Sequence, residues 1–302
     1  MAEAWEQQRE RGTPWAMRLL LWITRSLGRS AARLALFPVT AYFLLTGTAA
    51  RRASREFLRR ALQREPSLRD ITRHFFSFTA VSLDRIYWLS GANQDLIVES
   101  LRKPEAEAMQ DRGGCLTLVA HLGSFDVRRS TRNARRNMPM RIVLDREHGR
   151  MFMRLLEQLN PQLAASVIDA SQRGPSMVLA IKQALDEGSM VGMMADRVRA
   201  GEKVVSVDFL GGKANLPMAP WIIAGVLGVP VVIAFGLYRG GNKYEAHLEL
   251  LAERVELPRN GREAAIQHYA QKYADRLAHY ARLAPFNWFN FYDFWADETV
   301  SA

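Results

Sequence analysis

One histidine in this chain stands where a base could work. In CLTLVAHLGSFDVRR an apolar run, Leu116 to Ala120, ends at His121, and a carboxylate, Asp126, follows five residues on. The run has the length and side-chain content of a buried strand. Gly123 and Ser124 break the pattern, and the arginine-rich segment beyond reads as a helix. The arrangement predicts an imidazole at a strand's end with a carboxylate in the next turn to fix its tautomer. A neutral histidine held in that way can take a proton from a hydroxyl. With 31 Asp and Glu residues in 302, such a spacing also arises from composition, so the pair alone does not decide the chemistry.

Other chemistries find less support. GGCLTLVAHLGSFD lacks both Gly-x-Gly-x-x-Gly and the Lys-Ser/Thr of a phosphate loop, which argues against nucleotide binding. No Gly-x-Ser-x-Gly elbow is present, and Ser124 reads as a helix-start cap rather than a nucleophile. The single cysteine, Cys115, opens the apolar run and reads as a small core residue. His148 lies among Asp145, Glu147 and Arg150, a charged surface turn. His74 is expected at an interior or boundary position, and His268 and His279 on a surface or packing face. No His/Asp/Glu cluster is tight enough for a metal.

The chain carries a formal charge of +10, largely from arginine, which calls for an anionic partner. Nucleic acid is the weaker option, since no zinc-spaced cysteines, RNA-binding aromatics or helix-turn-helix pattern occur. Apolar residues make up 48% of the sequence, ample for a core.

The elements that must position His121 fall into two regions, 1–62 and 63–302. In the first, WAMRLLLWITRSLGRS places arginines opposite an apolar face, as an interfacial helix would. LALFPVTAYFLLTGTAA then gives 17 mostly apolar residues with Pro38 inside, at the short edge of what spans a bilayer. Membrane anchoring, lying on the surface or spanning, is the expectation, with a buried core hairpin as the other reading. A helix follows from about 67 to 89. Strands are expected at 116–120, 141–144, 165–169, 190–195, 204–209 and 230–237, with a further one from Lys243 at an edge and a long helix over 262–283. That alternation predicts an α/β fold with a mostly parallel central sheet flanked by helices. RRSTRNARR, with Arg128, Arg129, Arg132, Arg135 and Arg136, reads equally as a solvated helix face or a docking patch. The aromatic tail Phe286 to Trp295 reads as core packing or as a membrane-interface belt.

Taken together, these blocks resemble one family. The spacing from His121 to Asp126 looks like the His-x-x-x-x-Asp signature of the lysophospholipid acyltransferase superfamily. The downstream block, with Asp196 at a strand's end, Phe209 to Gly211 as a turn, Pro217, and Gly228 to Val232, is similar to the lipid A late acyltransferase branch (lauroyl and myristoyl transferases). Arg197 stands where that branch usually has Gln, and the tail PFNWFNFYDFW departs from its usual ending. The resemblance implies a membrane-associated acyltransferase domain with an N-terminal helical anchor, at the bacterial inner membrane and facing the cytoplasm. It implies transfer from an acyl carrier protein or coenzyme A thioester to a hydroxyl of a lipid acceptor, with no metal or redox cofactor required. On this basis His121 and Asp126 are the catalytic candidates, and Gly123, Asp196, Arg197, Arg128 and Arg129 the substrate-binding ones. Amides near Gly123 or a nearby arginine would stabilise the oxyanion. Two alternatives remain: a non-catalytic lipid-binding scaffold on the same fold, and an acyl-thioester hydrolase.

Overall fold

The computed structural model describes residues 14–93, 95–111, 113–130, 139–147, 149–171 and 174–295. Among these residues seven strands form one sheet in the order β1-β9-β8-β2-β5-β3-β4, and a separate hairpin joins β6 to β7. Its centre is β2 (Cys115–Val119) between β5 (Met190–Met194) and β8 (Val231–Gly240), both parallel to it. Every residue of β2 is buried, as expected for a parallel strand covered on both faces. β3 (Met140–Leu144) and β4 (Ile168–Asp169) extend the sheet on one side in parallel. On the other side β9 (Lys243–Ala252) turns back antiparallel to β8, and β1 (Ile97–Arg102) runs parallel to β9. The mostly parallel sheet flanked by helices is therefore as the sequence predicts.

Three strand expectations are corrected. The segment from Lys243 is not at an edge; β1, whose mostly exposed residues give little apolar signal, covers it and takes the edge. Of 165–169 only Ile168 and Asp169 are strand, because Asn160 and Pro161 start a short helix, α6 (Pro161–Ala165), with Leu163 N–H donating to Asn160 Oδ1 at 2.9 Å. β6 (Val204–Phe209) alternates exposed and buried residues and pairs only with β7 (Gly212–Pro217), outside the main sheet.

α1 (Pro14–Thr46) is broken at Gly28, where φ is 76°, and α2 (Thr48–Leu62) follows it. α3 (Leu68–Ser90) begins in a capping box, Ser67 with Asp70, and ends on left-handed Gly91. The remaining helices are α4 (Pro104–Asp111), α5 (Arg150–Leu159), α7 (Pro175–Asp186), α8 (Ala219–Leu227) and α9 (Arg262–Leu283). Along α9, Ile266, Ala270, Tyr273, Leu277 and Ala281 are buried at helical spacing.

α1 is pinned to α3 on one face. Arg29 donates from Nε and a terminal nitrogen to both oxygens of fully buried Asp84, at 2.8 and 2.7 Å, and Tyr244 OH donates to the same carboxylate. Thr40 meets Thr79 at 3.0 Å, and Ala32 and Leu36 are buried. The opposite face is apolar and bare: Leu34, Phe37 and Leu45 are 69, 60 and 75% exposed, with Tyr42 between them. No single helix among the described residues is long and apolar enough to cross a membrane. The pair Gly28–Thr46 and Thr48–Leu62, bent by 95°, passes that test only together.

Candidate active site

His121 lies two positions past the end of β2, and Asp196 two positions past the end of β5. The parallel register pairs Val119 with Met194, so continuing it brings His121 opposite Asp196. The ladder does continue, since Ala195 N–H donates to Val119 O at 3.0 Å. Asp196 then holds the histidine twice: Oδ2 accepts from the His121 backbone N–H and Oδ1 meets Nδ1 of the ring, both at 2.9 Å. Such a place, beyond the carboxyl ends of parallel strands, is where open α/β sheets hold their ligands.

Asp126, which its spacing predicts at the imidazole, is not there: the carboxylate on Nδ1 is Asp196. Asp126 is fully buried in the 3₁₀ turn Phe125–Ser130, where its Oδ2 accepts from Arg85 Nε at 3.0 Å and from Ser124 Oγ at 3.5 Å. Arg85 comes from α3, and its guanidinium sits 5.2 Å from the ring centres of both Phe125 and Phe152. Its side chain is 29% exposed.

The ionised carboxylate of Asp196 can only accept, so the Nδ1 hydrogen is fixed on the ring and Nε2 carries the lone pair. Burial pushes the His121 pKa below its ordinary value, the charges of Arg197 and Arg85 push the same way, and Asp196 opposes them. Asp196 is held down at about 2: burial alone would raise it, but His121 and Arg197 outweigh that. The ring is therefore neutral near pH 7 and free to accept a proton at Nε2.

The aromatic tail proves to be part of the floor. Phe289 N–H donates to His121 O at 2.7 Å, Gly123 N–H to Asn287 O at 2.8 Å, and Leu122 bridges Trp288. Asn287 also clamps the backbone of Tyr238 in β8, accepting from its N–H at 2.6 Å and donating to its carbonyl at 3.1 Å. Asn290 Nδ2 donates to Asp196 Oδ2 at 3.0 Å, and its Oδ1 accepts from Arg197 Nε at 2.7 Å. Of the two readings of the tail, core packing is the one seen, with Trp288 fully buried.

Three substrate-binding expectations acquire other roles here. Asp196 positions the ring. Arg197 is turned to the tail, donating to Asn290 Oδ1 and to Phe289 O at 3.1 Å, and it lies over the Tyr292 ring. The amides of Gly123 and Ser124 already donate to Asn287 O and Gly236 O, both at 2.8 Å, which removes them as oxyanion donors. Gly123, at φ 65°, is needed instead for close approach: a Cβ there would meet Gly236 O at 1.9 Å. The backbone of Arg128 and Arg129 is in the 3₁₀ turn, but their side chains, like Arg132, Arg135, Arg136 and His148, lie outside the described residues. Cys115 and His74 are both buried. Among the described residues no group of three or more His, Cys, Asp or Glu could hold a metal.

Sequence reasoning missed Asn290 and Arg85. The signal for the first was two asparagines interrupting an aromatic run, and for the second a charged pair, Asp84-Arg85, inside an otherwise apolar helical stripe.

The family model for bacterial lipid A biosynthesis acyltransferases matches residues 6–296. No curated protein matches the chain.

Proposed function

Because the chain belongs to the bacterial lipid A biosynthesis acyltransferase family, and so is an acyltransferase, we propose that it moves a fatty acyl group from a carrier thioester to a lipid hydroxyl at a membrane surface, with His121 as the general base. The observation that carries this reading is the register-matched pair of His121 and Asp196, which leaves Nε2 as the ring's proton acceptor. Nε2 takes the proton of the acceptor hydroxyl as its oxygen attacks the thioester carbonyl. The tetrahedral intermediate collapses with cleavage of the carbon–sulfur bond, and the imidazolium returns the proton to the leaving thiolate. Asp196 stabilises the transient cation, and general-base help of this kind is worth roughly two to four powers of ten in rate.

With the Gly123 and Ser124 amides occupied, Arg85 is the donor best placed for the oxyanion. Asp126 and the two phenyl rings hold its fork, and its charge acts on the His121 ring. Asp126 thereby becomes a positioning residue for Arg85. The donor is an acyl carrier protein or coenzyme A thioester and the acceptor a glycolipid hydroxyl, at the cytoplasmic face of the bacterial inner membrane. The bare apolar stripe of α1, backed on its other face by the domain, supports a helix lying in the interface rather than crossing it.

The test is thioester turnover with purified protein in lipid vesicles, using both donors and extracted lipid acceptors. His121→Ala should abolish transfer with the fold intact. Retention of more than a few per cent of the wild-type rate would remove His121 as the base. Thiol release without acylated lipid would instead make the protein a thioester hydrolase.

A further inference from the structure

A concave site lined by none of the residues around His121 lies between the end of α2 and the turn of the β6–β7 hairpin. It is a cavity of about 560 Å³ whose charged lining is four arginines, Arg59, Arg60, Arg64 and Arg282, against one carboxylate, Glu65. That volume is in the range of small-molecule sites, roughly 300–1,000 Å³. Nothing in the transfer reading uses it.

Three of the four arginines, Arg59, Arg60 and Arg64, are paired with carboxylates. Glu56 accepts from Arg59 at 3.1 and 2.8 Å and from Arg60 at 2.6 Å, and Asp70 accepts from both terminal nitrogens of Arg64 at 2.9 and 3.2 Å. Neither carboxylate lines the cavity. A guanidinium has five N–H donors; Arg59 gives two to Glu56, and Arg64 gives two to Asp70 and one to Glu65 O, so both keep N–H groups for a ligand. Arg60 is further fixed 4.6 Å above the Trp295 ring, and Trp295 in turn donates from Nε1 to Phe209 O at 3.1 Å.

Backbone conformation marks the same place. Among the described residues only two non-glycine residues have positive φ, Gln63 at 55° and Leu210 at 49°, and both line this cavity. Gln63 ends α2 in the left-handed region, between Arg60 and Arg64, which both line the cavity. Leu210 and Gly211 (φ 79°) make a two-residue hairpin turn at a position where Asn or Asp is the usual choice. Strained backbone of this sort collects at ligand clamps.

We propose that this cavity binds a phosphate monoester or diphosphate. The planar forks of held arginines match phosphate oxygens two at a time, which favours phosphate over a spherical anion. The concave shape favours a small group over an acidic protein face.

The experiment is isothermal titration of the full chain in detergent with inorganic pyrophosphate at low salt. Wild type should bind one equivalent saturably, and Arg59→Gln/Arg282→Gln should bind at least about tenfold more weakly with its melting temperature kept. Arg64→Lys, which retains charge but loses the fork, should fall between them. His121→Gln should lose acyl transfer yet bind pyrophosphate as wild type does, so failure of this site and failure of the transfer reading are separable. Displacement of pyrophosphate by phosphatidic acid carried in the same detergent micelles would identify a lipid headgroup as the source. Displacement by glucose 1-phosphate but not by micellar phosphatidic acid would identify a free phosphate ester. No saturable binding, sulfate binding as tightly as pyrophosphate, or equal affinity in the double variant would overturn the proposal.

Discussion

Replacing Asp196 by Asn tests the site at a single atom. Asp196 Oδ2 accepts twice, from the His121 backbone N–H and from Asn290 Nδ2. An asparagine must keep its one oxygen there, because its amide nitrogen would face two donors. The NH₂ group then occupies the Oδ1 position, 2.9 Å from His121 Nδ1, and donates to it. The ring is forced into the other tautomer, with hydrogen on Nε2, and can no longer take a proton from the acceptor. General-base help is worth roughly two to four powers of ten, and a wrong-tautomer amide in a serine protease triad reaches the upper end, about 10⁴. The expected loss in kcat is therefore about 10³ to 10⁴, or roughly 4 to 5.5 kcal/mol of transition-state stabilisation. Asp196→Ala leaves the tautomer free, so it should be no more impaired than Asp196→Asn despite the larger structural change. The assay is release of the donor thiol, followed colorimetrically, with the melting temperature of each variant as control. A folded Asp196→Asn protein within tenfold of wild type, while His121→Ala is dead, would refute the tautomer argument.

Four other outcomes are expected. The acid limb of the rate profile should fall below pH 6.5, since burial and then the Arg197 and Arg85 charges depress the His121 pKa; Arg85→Gln should move that limb upward and lower kcat by about 10² or more, and an unmoved limb with unchanged kcat would remove Arg85 from the site. Buried His74, between Ser54 Oγ and Trp288 O, has its pKa lowered from 6.5 to about 4 by burial, the Trp288 carbonyl opposing less strongly. Its contribution is thus fully present above pH 6.5 and lost as pH falls towards 4, about 3 kcal/mol in all; chemical denaturation at pH 4 to 7 should show this loss, and His74→Gln should flatten it. Leu34→Ser with Phe37→Ser and Leu45→Ser should reduce partition into vesicles by at least about a hundredfold, as each buried side chain is worth about 1.5 kcal/mol or more; unchanged flotation would place the membrane contact elsewhere. Asp84→Asn, which strands Arg29 at a buried site, should cost about 3 to 5 kcal/mol and open residues 28–47 to protease; unchanged protection would show that packing alone holds α1.

Local pattern carries much of the fold. β2, β5 and β8 are apolar runs because they are covered on both faces, and α3 and α9 announce themselves by a capping box and by helical spacing of buried residues. The position of His121 just past a buried strand follows from the same signal. Which carboxylate reaches its ring does not, because a turn decides distances over five residues but a sheet register decides them over 75. Asp126 has the right spacing in the chain, yet the 3₁₀ turn delivers it to Arg85. The weakly patterned β1 could take the edge from β9 only because pairing satisfies backbone groups whatever the side chains are. The tail is the clearest case. Its aromatic residues fit a buried segment or a membrane-interface belt alike, and only the closed fold shows it laid along the end of β2, where Asn290 joins Asp196 to Arg197. Sequence determined the buried central strands β2, β5 and β8, the helices α3 and α9 and the histidine at a strand's end, since these depend on residues close together in the chain. Tertiary structure decided the partner of that histidine, because a hydrogen bond is set by angstroms in space and the groups that make it come from β2, β5 and the tail.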